Sequence, residues 1–310
     1  MPVSELDFEM LQLRSISIVP SQGDRLMDPT LPELSILRRF WPGFEDAETT
    51  QPVLVGGVAI GGAFPVIIAG PCAVESYEQT LAVAHAVRKA GISILRGGAF
   101  KPRTYPGSFQ GLGEQGLEIL AQVRRETGLA IVTEVMDPRL VERVAAVADM
   151  LQIGSRSMQN SPLLVEVGRS GKPVLLKRGW SATLDEWLGA AEYVAREGNT
   201  RIVLCERGIR VPASEGYARA VLDFNVIHAI RTLTPLPVIL DPSHAAGRWD
   251  RVEPLARAAL AASAHGLLIE AVAADTDRAL LRSDAEQGIP PDVLERIAEF
   301  ARFGLLRNLQ

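Results

Sequence analysis

The sequence is poor in cysteine and in long apolar runs, and each shortage excludes a class of protein. Two cysteines, Cys72 and Cys205, stand far apart among 310 residues, which excludes a disulfide framework and fits a reducing cytoplasm. No apolar run is long enough to cross a bilayer, and the chain does not open on the basic and apolar segments of a secretory signal. We therefore expect a cytoplasmic protein without a membrane partner.

The net charge of the chain is small as well. A formal charge of −5 at pH 7 argues against general affinity for nucleic acid, so no nucleic-acid partner is expected. Any binding of anions must therefore be local. Apolar residues make up 47% of the chain, which is ample for one large core or two ordinary domains.

Eight short apolar runs, rich in β-branched residues, alternate with helical stretches from about residue 64 onward. Because the runs are continuously apolar, they indicate strands covered on both faces and hence a parallel sheet. Eight such units predict a (β/α)8 TIM barrel, with an open doubly wound sheet as the alternative. The predicted strands are residues 66–69, 92–95, 130–133, 150–153, 173–176, 201–204, 237–240 and 266–269, and predicted helices include residues 78–90, 184–196 and 252–264.

The two ends of the chain carry weaker patterns. Residues 53–60, flanked by glycine pairs, predict a hairpin that plugs the bottom of the barrel, and residues 13–19 and 34–40 suggest a strand and a short helix. Proline is favoured in the first turn of a helix, so Pro290 and Pro291 predict a final helix over residues 292–306. We expect residues 1–50 to be an extension rather than a full regulatory domain, and residues 51–310 to be the catalytic barrel.

Polar or reactive side chains stand at the end of every predicted strand, where a barrel of this kind has its active site. In residues 95–104, the cations Arg96, Lys101 and Arg103 follow one strand closely. Charged residues are seldom fully buried unless paired, so packing does not explain this cluster. Arginine forks and a lysine suit phosphate and carboxylate groups, which predicts strongly anionic substrates. Other strand ends supply Cys72, Glu134, Arg156, Lys177, Arg207, His244 and Glu270.

Long motifs connect these strand ends, at residues 69–76, 95–104, 108–113, 133–138, 151–160, 175–182, 204–210 and 241–247. In sequence and order they resemble the motifs of the 3-deoxy-D-arabino-heptulosonate 7-phosphate (DAHP) synthases, type I β subgroup. The resemblance implies a transferase that condenses phosphoenolpyruvate with erythrose 4-phosphate, opening the shikimate pathway of aromatic amino acid biosynthesis. It also implies a divalent metal ion and a homo-oligomer, either a dimer or a tetramer.

The resemblance also implies a metal site. Its ligands would be Cys72, His244, Glu270 and Asp284. A thiolate, an imidazole and two carboxylates suit Mn, Fe, Co or Zn without selecting among them. Asp284 is the best match for the fourth ligand, with Asp275 and Asp277 as alternatives. The family places a histidine two residues after the glutamate, where this chain has Val272.

Substrate-binding residues follow from the same resemblance. Phosphoenolpyruvate would be bound by Arg96, Arg156, Lys177 and Arg207, and erythrose 4-phosphate by Lys101, Pro102, Arg103 and Thr104. Lys101, with a pKa lowered by neighbouring cations, is the expected proton donor to the developing alkoxide. Glu134 and Lys177 are expected to orient water. Ser157 or Arg248 is expected to help bind the second phosphate.

Two alternatives to this function stay open. The family follows Thr104 with Ser-Pro-Tyr, whereas this chain has Tyr105, Pro106 and Gly107, and residues 212–218 are unusual. These departures favour a sibling synthase that condenses phosphoenolpyruvate with another aldose phosphate. The other alternative is a catalytically silent paralogue that binds a partner, against which the intact Cys72 argues.

Overall fold

A closed barrel of parallel strands, with a two-stranded hairpin before it, forms residues 50–211, 219–284 and 286–304, which the computed structural model describes. The strands are β1 Val53–Val55, β2 Val58–Ile60, β3 Val66–Gly70, β4 Ile94–Arg96, β5 Ala130–Glu134, β6 Met150–Ile153, β7 Val174–Lys177, β8 Ile202–Glu206, β9 Val238–Leu240 and β10 Gly266–Glu270. The barrel order is β10-β3-β4-β5-β6-β7-β8-β9, and β10 closes the cylinder against β3. The (β/α)8 prediction is confirmed and the open sheet is excluded.

Helices cover the outside of the barrel, and side-chain caps start several of them. Ser76 accepts a hydrogen bond from the backbone of Gln79, and Thr183 forms a capping box with Glu186. The α-helices are Tyr77–Lys89, Glu114–Thr127, Val141–Val147, Ser161–Arg169, Leu184–Ala195, Asn225–Leu233, Pro242–Ala246, Val252–Ala261 and Pro291–Glu299. Short 3-10 turns are Pro138–Leu140, Trp249–Arg251 and Arg278–Leu280.

The barrel strands reach further toward the active-site rim than the sequence predicts. The strands β3, β4, β5, β7 and β10 each continue one residue beyond the predicted end, and β8 continues two. Most of the added residues are charged, yet they pair in the sheet, as Lys177 does with Cys205 and Glu270 with Gly70. These charged side chains therefore stand on the rigid sheet rather than on loops.

The final helix is shorter than predicted. The α-helical part spans Pro291–Glu299, and the wider π-helical turn Phe300–Gly304 follows it. Residues 305–310 lie outside the described residues. The prolines do open the helix, with Pro290 at the N-cap and Pro291 in the first turn.

The hairpin β1–β2 closes the N-terminal end of the barrel, as predicted. Val53, Val55 and Ile60 are buried and pack against side chains of the barrel interior. At the turn, a Cβ on Gly56 would lie 2.4 Å from the side chain of Ala130, the first residue of β5. Only glycine allows this close approach, which fixes the hairpin under the strand starts.

Several expectations fall outside the described residues. Residues 13–19, 34–40 and 212–218 are among them, so the predicted strand, the predicted helix and the division at residue 50 stay predictions. No helix within the described ranges is long and apolar enough to span a membrane. The cytoplasmic location stays a prediction.

Candidate active site

The C-terminal ends of the barrel strands surround a cavity of about 220 Å³. Every predicted metal ligand, catalytic residue and principal substrate-binding residue except Cys72 and Glu270 lines it. The predicted residues in its wall are Arg96, Lys101, Pro102, Arg103, Thr104, Glu134, Arg156, Lys177, Arg207, His244 and Asp284. Cys72 and Glu270 lie directly behind this wall, where the Sγ of Cys72 is 3.1 Å from Lys101 Nζ and Glu270 Oε1 is 2.9 Å from Arg96 Nη1. The structure thus brings these thirteen predicted residues together.

Two cations of the cavity wall are buried and anchored by acidic partners. Arg96 Nη1 donates to Glu270 Oε1 and, at 2.7 Å, to the carbonyl oxygen of Pro71. Lys177 Nζ donates to Asp241 Oδ2 at 2.5 Å. A buried charge is tolerated only when it is paired and hydrogen-bonded. These pairs therefore hold positive charge in place at the cavity.

Asp241 also organises His244. Its Oδ1 accepts from the backbone N–H of His244 at 2.9 Å, which starts the short helix Pro242–Ala246. Its Oδ2 lies 2.7 Å from His244 Nδ1, and His244 Nε2 lies 3.4 Å from Glu270 Oε1. Burial lowers the pKa of His244 to about 4, so the imidazole is neutral near pH 7. A neutral ring with a carboxylate behind one nitrogen is the form in which histidine binds metals.

The four candidate metal ligands form two contacting pairs. Cys72 Sγ lies 3.3 Å from Asp284 Oδ2, and His244 Nε2 faces Glu270. Lys101 and Ser283 also contact the Cys72 sulfur, each at 3.1 Å. As the side chains stand, no three His, Cys, Asp or Glu residues in the described ranges are grouped as around a metal ion.

The chemistry of this donor set nevertheless fits a divalent transition metal. Although burial raises the pKa of Asp284, Arg219, His244 and Lys101 outweigh it and lower that pKa to about 2, so the carboxylate is ionised. Burial, with Glu270 nearby, raises the pKa of the Cys72 thiol to about 12. A thiol loses its proton when it coordinates a metal, and soft sulfur with imidazole and carboxylate suits Mn, Fe, Co or Zn.

Of the three aspartates considered for the fourth position, Asp284 alone lines the cavity. Asp277 uses its carboxylate to cap the 3-10 turn Arg278–Leu280, and Asp275 is exposed. The backbone of Asp284 has a φ of 40°, in the left-handed region that aspartate tolerates better than most residues. Val272, in the place of the family's histidine, is buried and contributes no ligand atom.

Side chains of the loop after β4 contact two other loops. Arg103 Nη1 donates to Ser283 Oγ at 3.2 Å and lies 3.6 Å from Asp284 Oδ2. Arg156 Nη2 donates to Thr104 Oγ1 at 3.2 Å. The predicted sites for the two substrates therefore touch through Arg156 and Thr104.

The expected pKa of Lys101 is wrong in direction. Burial lowers the pKa of Lys101, but the interactions with the Cys72 sulfur and the Glu270 carboxylate outweigh burial, and the net shift is upward. Its ammonium also donates to the carbonyl oxygen of Cys72 at 3.0 Å. The sequence prediction considered neighbouring cations and overlooked these acceptors.

Glu134, at the end of β5, has one bound and one unbound oxygen. Oε2 accepts from Gln152 Nε2 at 3.2 Å, whereas buried Oε1 accepts no hydrogen bond from the described residues. Burial raises the pKa of Glu134 although Lys101 and Lys177 oppose the shift. A Cβ at Gly154 would lie 2.0 Å from Oε1, so glycine is needed for this carboxylate to lie where it does.

Sequence reasoning missed several residues of the site. Arg219 lines the cavity and lies 3.5 Å from Asp284, and Gln287 donates to Glu270 Oε2 at 2.5 Å. Both stand in irregular loops without a motif, so no sequence signal marks them. Trp180 also lines the cavity, and its place just after β7 is a signal that the strand-end rule could have used.

Two predicted helpers lie elsewhere. Ser157 is buried in a turn, with its N–H on the carbonyl oxygen of Gly154, and does not line the cavity. Arg248 is largely exposed and pairs with Asp250 at 3.1 Å. Both residues are close to the motifs in sequence, but their side chains do not reach the cavity.

Several known proteins are similar to this chain. The model of the DAHP synthetase I family matches residues 45–302. A phospho-2-dehydro-3-deoxyheptonate aldolase of Thermotoga maritima is 46% identical over 245 residues, which are 79% of this chain and 71% of that protein. A 2-dehydro-3-deoxyphosphooctonate aldolase of Syntrophotalea carbinolica is 36% identical over 261 residues, covering 78% and 91%. The crystal structure of the Thermotoga DAHP synthase has a TM-score of 0.79 at 41% identity, covering 86% of this chain and 76% of the other.

Proposed function

Because the chain belongs to the DAHP synthetase I family, we propose that this enzyme condenses phosphoenolpyruvate with erythrose 4-phosphate to give DAHP and inorganic phosphate. The observation that carries the proposal is the charge of the cavity. Among the described residues of its wall, seven are lysine or arginine and two are carboxylates. Such an excess suits two phosphorylated substrates bound together. The product would enter the shikimate pathway, and the type I β subgroup stays a prediction.

Phosphoenolpyruvate is held by Arg96, Arg156, Lys177 and Arg207 in this proposal. Arg96 and Lys177 are fixed by their buried acidic partners, so their charges need little rearrangement when the substrate binds. Guanidinium groups can grip phosphate or carboxylate oxygens in pairs, which fixes the orientation of the small trianion.

Erythrose 4-phosphate is held by the loop that contains Pro102. Arg103 and Thr104 bind the phosphate. Lys101 points away from them, toward Cys72 behind the cavity wall. The hydrogen bond from Arg156 to Thr104 supports adjacent binding of the two substrates. Adjacent binding converts a bimolecular reaction into one between preoriented groups.

The metal site is formed by Cys72, His244, Glu270 and Asp284. A divalent ion bound there would polarise the aldehyde or activate a water molecule. Asp241 orients the ring of His244, and Arg96 and Gln287 each contact one oxygen of Glu270. Outer contacts of this kind fix the direction of ligand atoms.

Lys101 donates a proton and Glu134 orients a water molecule in the proposed reaction. Carbon 3 of phosphoenolpyruvate bonds to the aldehyde carbon, and Lys101 Nζ gives a proton to the resulting alkoxide oxygen. Water then adds at carbon 2 and loses one proton, which gives a hemiketal phosphate. The C–O bond to phosphate then breaks as the carbonyl forms at carbon 2, and the second proton of the water leaves with the phosphate. The unbound Oε1 of Glu134, with Lys177 nearby, orients that water. No side chain forms a covalent bond to substrate.

Phosphate release tests the proposal. With both substrates present, we expect release that a chelator abolishes and Mn restores. The two cysteines give a matched pair of variants: Cys72→Ala should lose Mn-dependent release and bound Mn, whereas Cys205→Ala, in the apolar barrel interior, should keep both. No release by the Mn-loaded protein with any aldose phosphate would contradict the proposal and favour a silent paralogue.

A sibling activity is the second candidate. The octonate aldolase relative makes an eight-carbon acid by its name, which requires a five-carbon aldose phosphate beside phosphoenolpyruvate. Tyr105, in the place of the family's serine, is 72% exposed and stands in the cavity wall, where a longer sugar would pass. Comparing kcat/KM for four- and five-carbon aldose phosphates separates the two. A higher value for the five-carbon substrate would favour the sibling activity.

Other expectations stay predictions. The homo-oligomer, either dimer or tetramer, can be tested by sedimentation of the purified chain. The identity of the metal among Mn, Fe, Co and Zn can be tested by metal analysis of protein purified without added metal.

A further inference from the structure

One aromatic ring contacts three arginines at the rim of the barrel. The ring of Trp180 lies 4.7 Å from the guanidinium carbon of Arg156, 5.4 Å from that of Arg207 and 4.6 Å from that of Arg210. Trp180 follows β7, Arg156 follows β6, and the other two follow β8. Arg210 also donates its N–H to the carbonyl oxygen of Trp180 at 3.0 Å. The ring therefore joins three successive loops.

Arg156 and Arg207 are anchored differently from the other cations near the cavity. Arg96 pairs with Glu270, Lys177 with Asp241, and Arg178 with Glu206 and Asp223. Arg156 and Arg207 form no ion pair with a described carboxylate, although Arg207 is 4% exposed. Their shared partner is the face of Trp180. An aromatic face attracts a guanidinium group without occupying its N–H donors or neutralising its charge.

The geometry points to Trp180 as a positioning residue that holds Arg156 and Arg207 beside the cavity, with their charge available to the phosphate and carboxylate of phosphoenolpyruvate. One donor of Arg156 binds Thr104, and its other N–H groups face no described carboxylate. The inference rests on the proposed function, in which these two arginines bind that substrate. Trp180 takes no part in the bond changes. Its loss should therefore weaken substrate binding far more than turnover.

A purely space-filling role for Trp180 predicts a different result. Trp180 is half-buried, and its indole Nε1 is buried without a hydrogen-bond partner among the described residues. The indole N–H therefore does not anchor the side chain, and the aromatic face makes the contacts. Phenylalanine keeps such a face, whereas leucine fills much of the space without one.

Steady-state kinetics with these two substitutions test the inference. For Trp180→Leu we expect the KM for phosphoenolpyruvate to rise about tenfold, with kcat within about twofold of the wild-type value. For Trp180→Phe we expect a KM within about threefold of wild type. Trp249→Leu is the matched control, because Trp249 lies 5.6 Å from Arg278 but outside the cavity wall, and it should change neither constant.

Tryptophan fluorescence gives a binding readout that is independent of turnover. Phosphoenolpyruvate should change the emission of the wild type and of Trp249→Phe, and the change should be absent in Trp180→Phe. This titration needs no catalysis, so it tests Trp180 even if the wild type releases no phosphate. In that case the proposed function fails, while the titration still shows whether phosphoenolpyruvate binds beside Trp180.

Three results would overturn the inference. One is an unchanged KM for phosphoenolpyruvate in Trp180→Leu at an unchanged melting temperature. Another is a Trp180→Phe variant as impaired as Trp180→Leu, which would assign the effect to the size of the indole. The last is an emission change that persists in Trp180→Phe. If Trp180→Leu does not fold, the phenylalanine variant and the titration decide the question.

Discussion

The two ends of the barrel use the same strands for opposite purposes. At the N-terminal end, the hairpin side chains Val53, Val55 and Ile60 fill the interior with apolar atoms. At the C-terminal end, charged side chains such as Lys177 and Glu270 are equally buried but stand in ion pairs around a cavity. Burial of apolar surface is favourable by itself, whereas burial of charge is unfavourable until partners offset it. Stability should therefore depend on one end and activity on the other.

Substitution of Lys101 should have the largest effect on the active-site end. Lys101→Met removes the proposed proton donor, and we expect kcat to fall about 100- to 10,000-fold while the melting temperature changes little. Phosphate release and a thermal melt measure the two quantities. A kcat within tenfold of wild type would remove Lys101 from the proposed chemistry.

Substitution of Ile60 should show the reverse pattern at the hairpin end. Ile60 is fully buried, so Ile60→Ala should lower the free energy of unfolding by about 2–5 kcal/mol and leave kcat/KM of the folded protein unchanged. Leu54 in the same hairpin is 62% exposed, which makes Leu54→Ala a matched control with little effect on stability. Urea unfolding measures the stability of both variants. Equal losses of unfolding free energy would show that the buried side chain of Ile60 does not stabilise the barrel more than the exposed side chain of Leu54.

The pH dependence of stability should depend on His265 at the hairpin end. Its Nε2 lies 3.1 Å from Thr50 Oγ1, and its Nδ1 accepts from the N–H of Val238, where β9 starts. Burial, with Arg231 nearby, lowers the pKa of His265 from 6.5 to about 4. Between these values the unfolded chain binds the proton and the folded chain does not. Stability from this residue is therefore complete above pH 6.5 and is lost as the pH falls toward 4.

Urea unfolding of His265→Gln measures this effect. From pH 6.5 to 5 the wild type should lose about 2 kcal/mol of unfolding free energy more than the variant. Every other titrating group, His244 included, is present in both proteins and cancels in the difference. Parallel pH curves for the two proteins would assign the acid sensitivity to other groups.

The smallest effect is expected for a conservative change at the outer part of the cavity. Arg103→Lys keeps the charge but loses the planar fork, so the KM for the aldose phosphate should rise about tenfold. The KM for phosphoenolpyruvate should stay within about twofold of wild type, because Arg103 contacts Ser283 and Asp284 rather than the proposed phosphoenolpyruvate ligands. If only the KM for phosphoenolpyruvate rises, Arg103 binds phosphoenolpyruvate rather than the aldose phosphate.

The barrel and the location of the site were predictable because both depend on local patterns. Continuous apolar runs specify parallel strands, and the residue after each run lies at the rim by topology alone. That rule predicts that Arg96, Glu134 and Lys177 lie together, and all three line the cavity. The hairpin was predictable for a similar reason, since glycines flank two short apolar segments.

Interactions between loops were not predictable from local patterns. The pKa of Lys101 depends on Glu270, which lies 169 residues later in the chain but close in space. Arg219 and Gln287 join the site through contacts with Asp284 and Glu270 that no short motif encodes. The predicted roles of Ser157 and Arg248 are not supported for the same reason. Proximity in sequence does not decide where a loop side chain points.

The left-handed backbone at Asp284 limits how this site can diverge in evolution. Most L-residues would be strained by roughly 1–2 kcal/mol at such a φ, and glycine and asparagine are the usual exceptions. Glycine at this position would remove the carboxylate oxygens that could bind the metal ion. Asparagine would keep one oxygen but not the negative charge. Descendants of this gene that exchange the residue for another acidic type, such as glutamate, must therefore rebuild the surrounding loop as well.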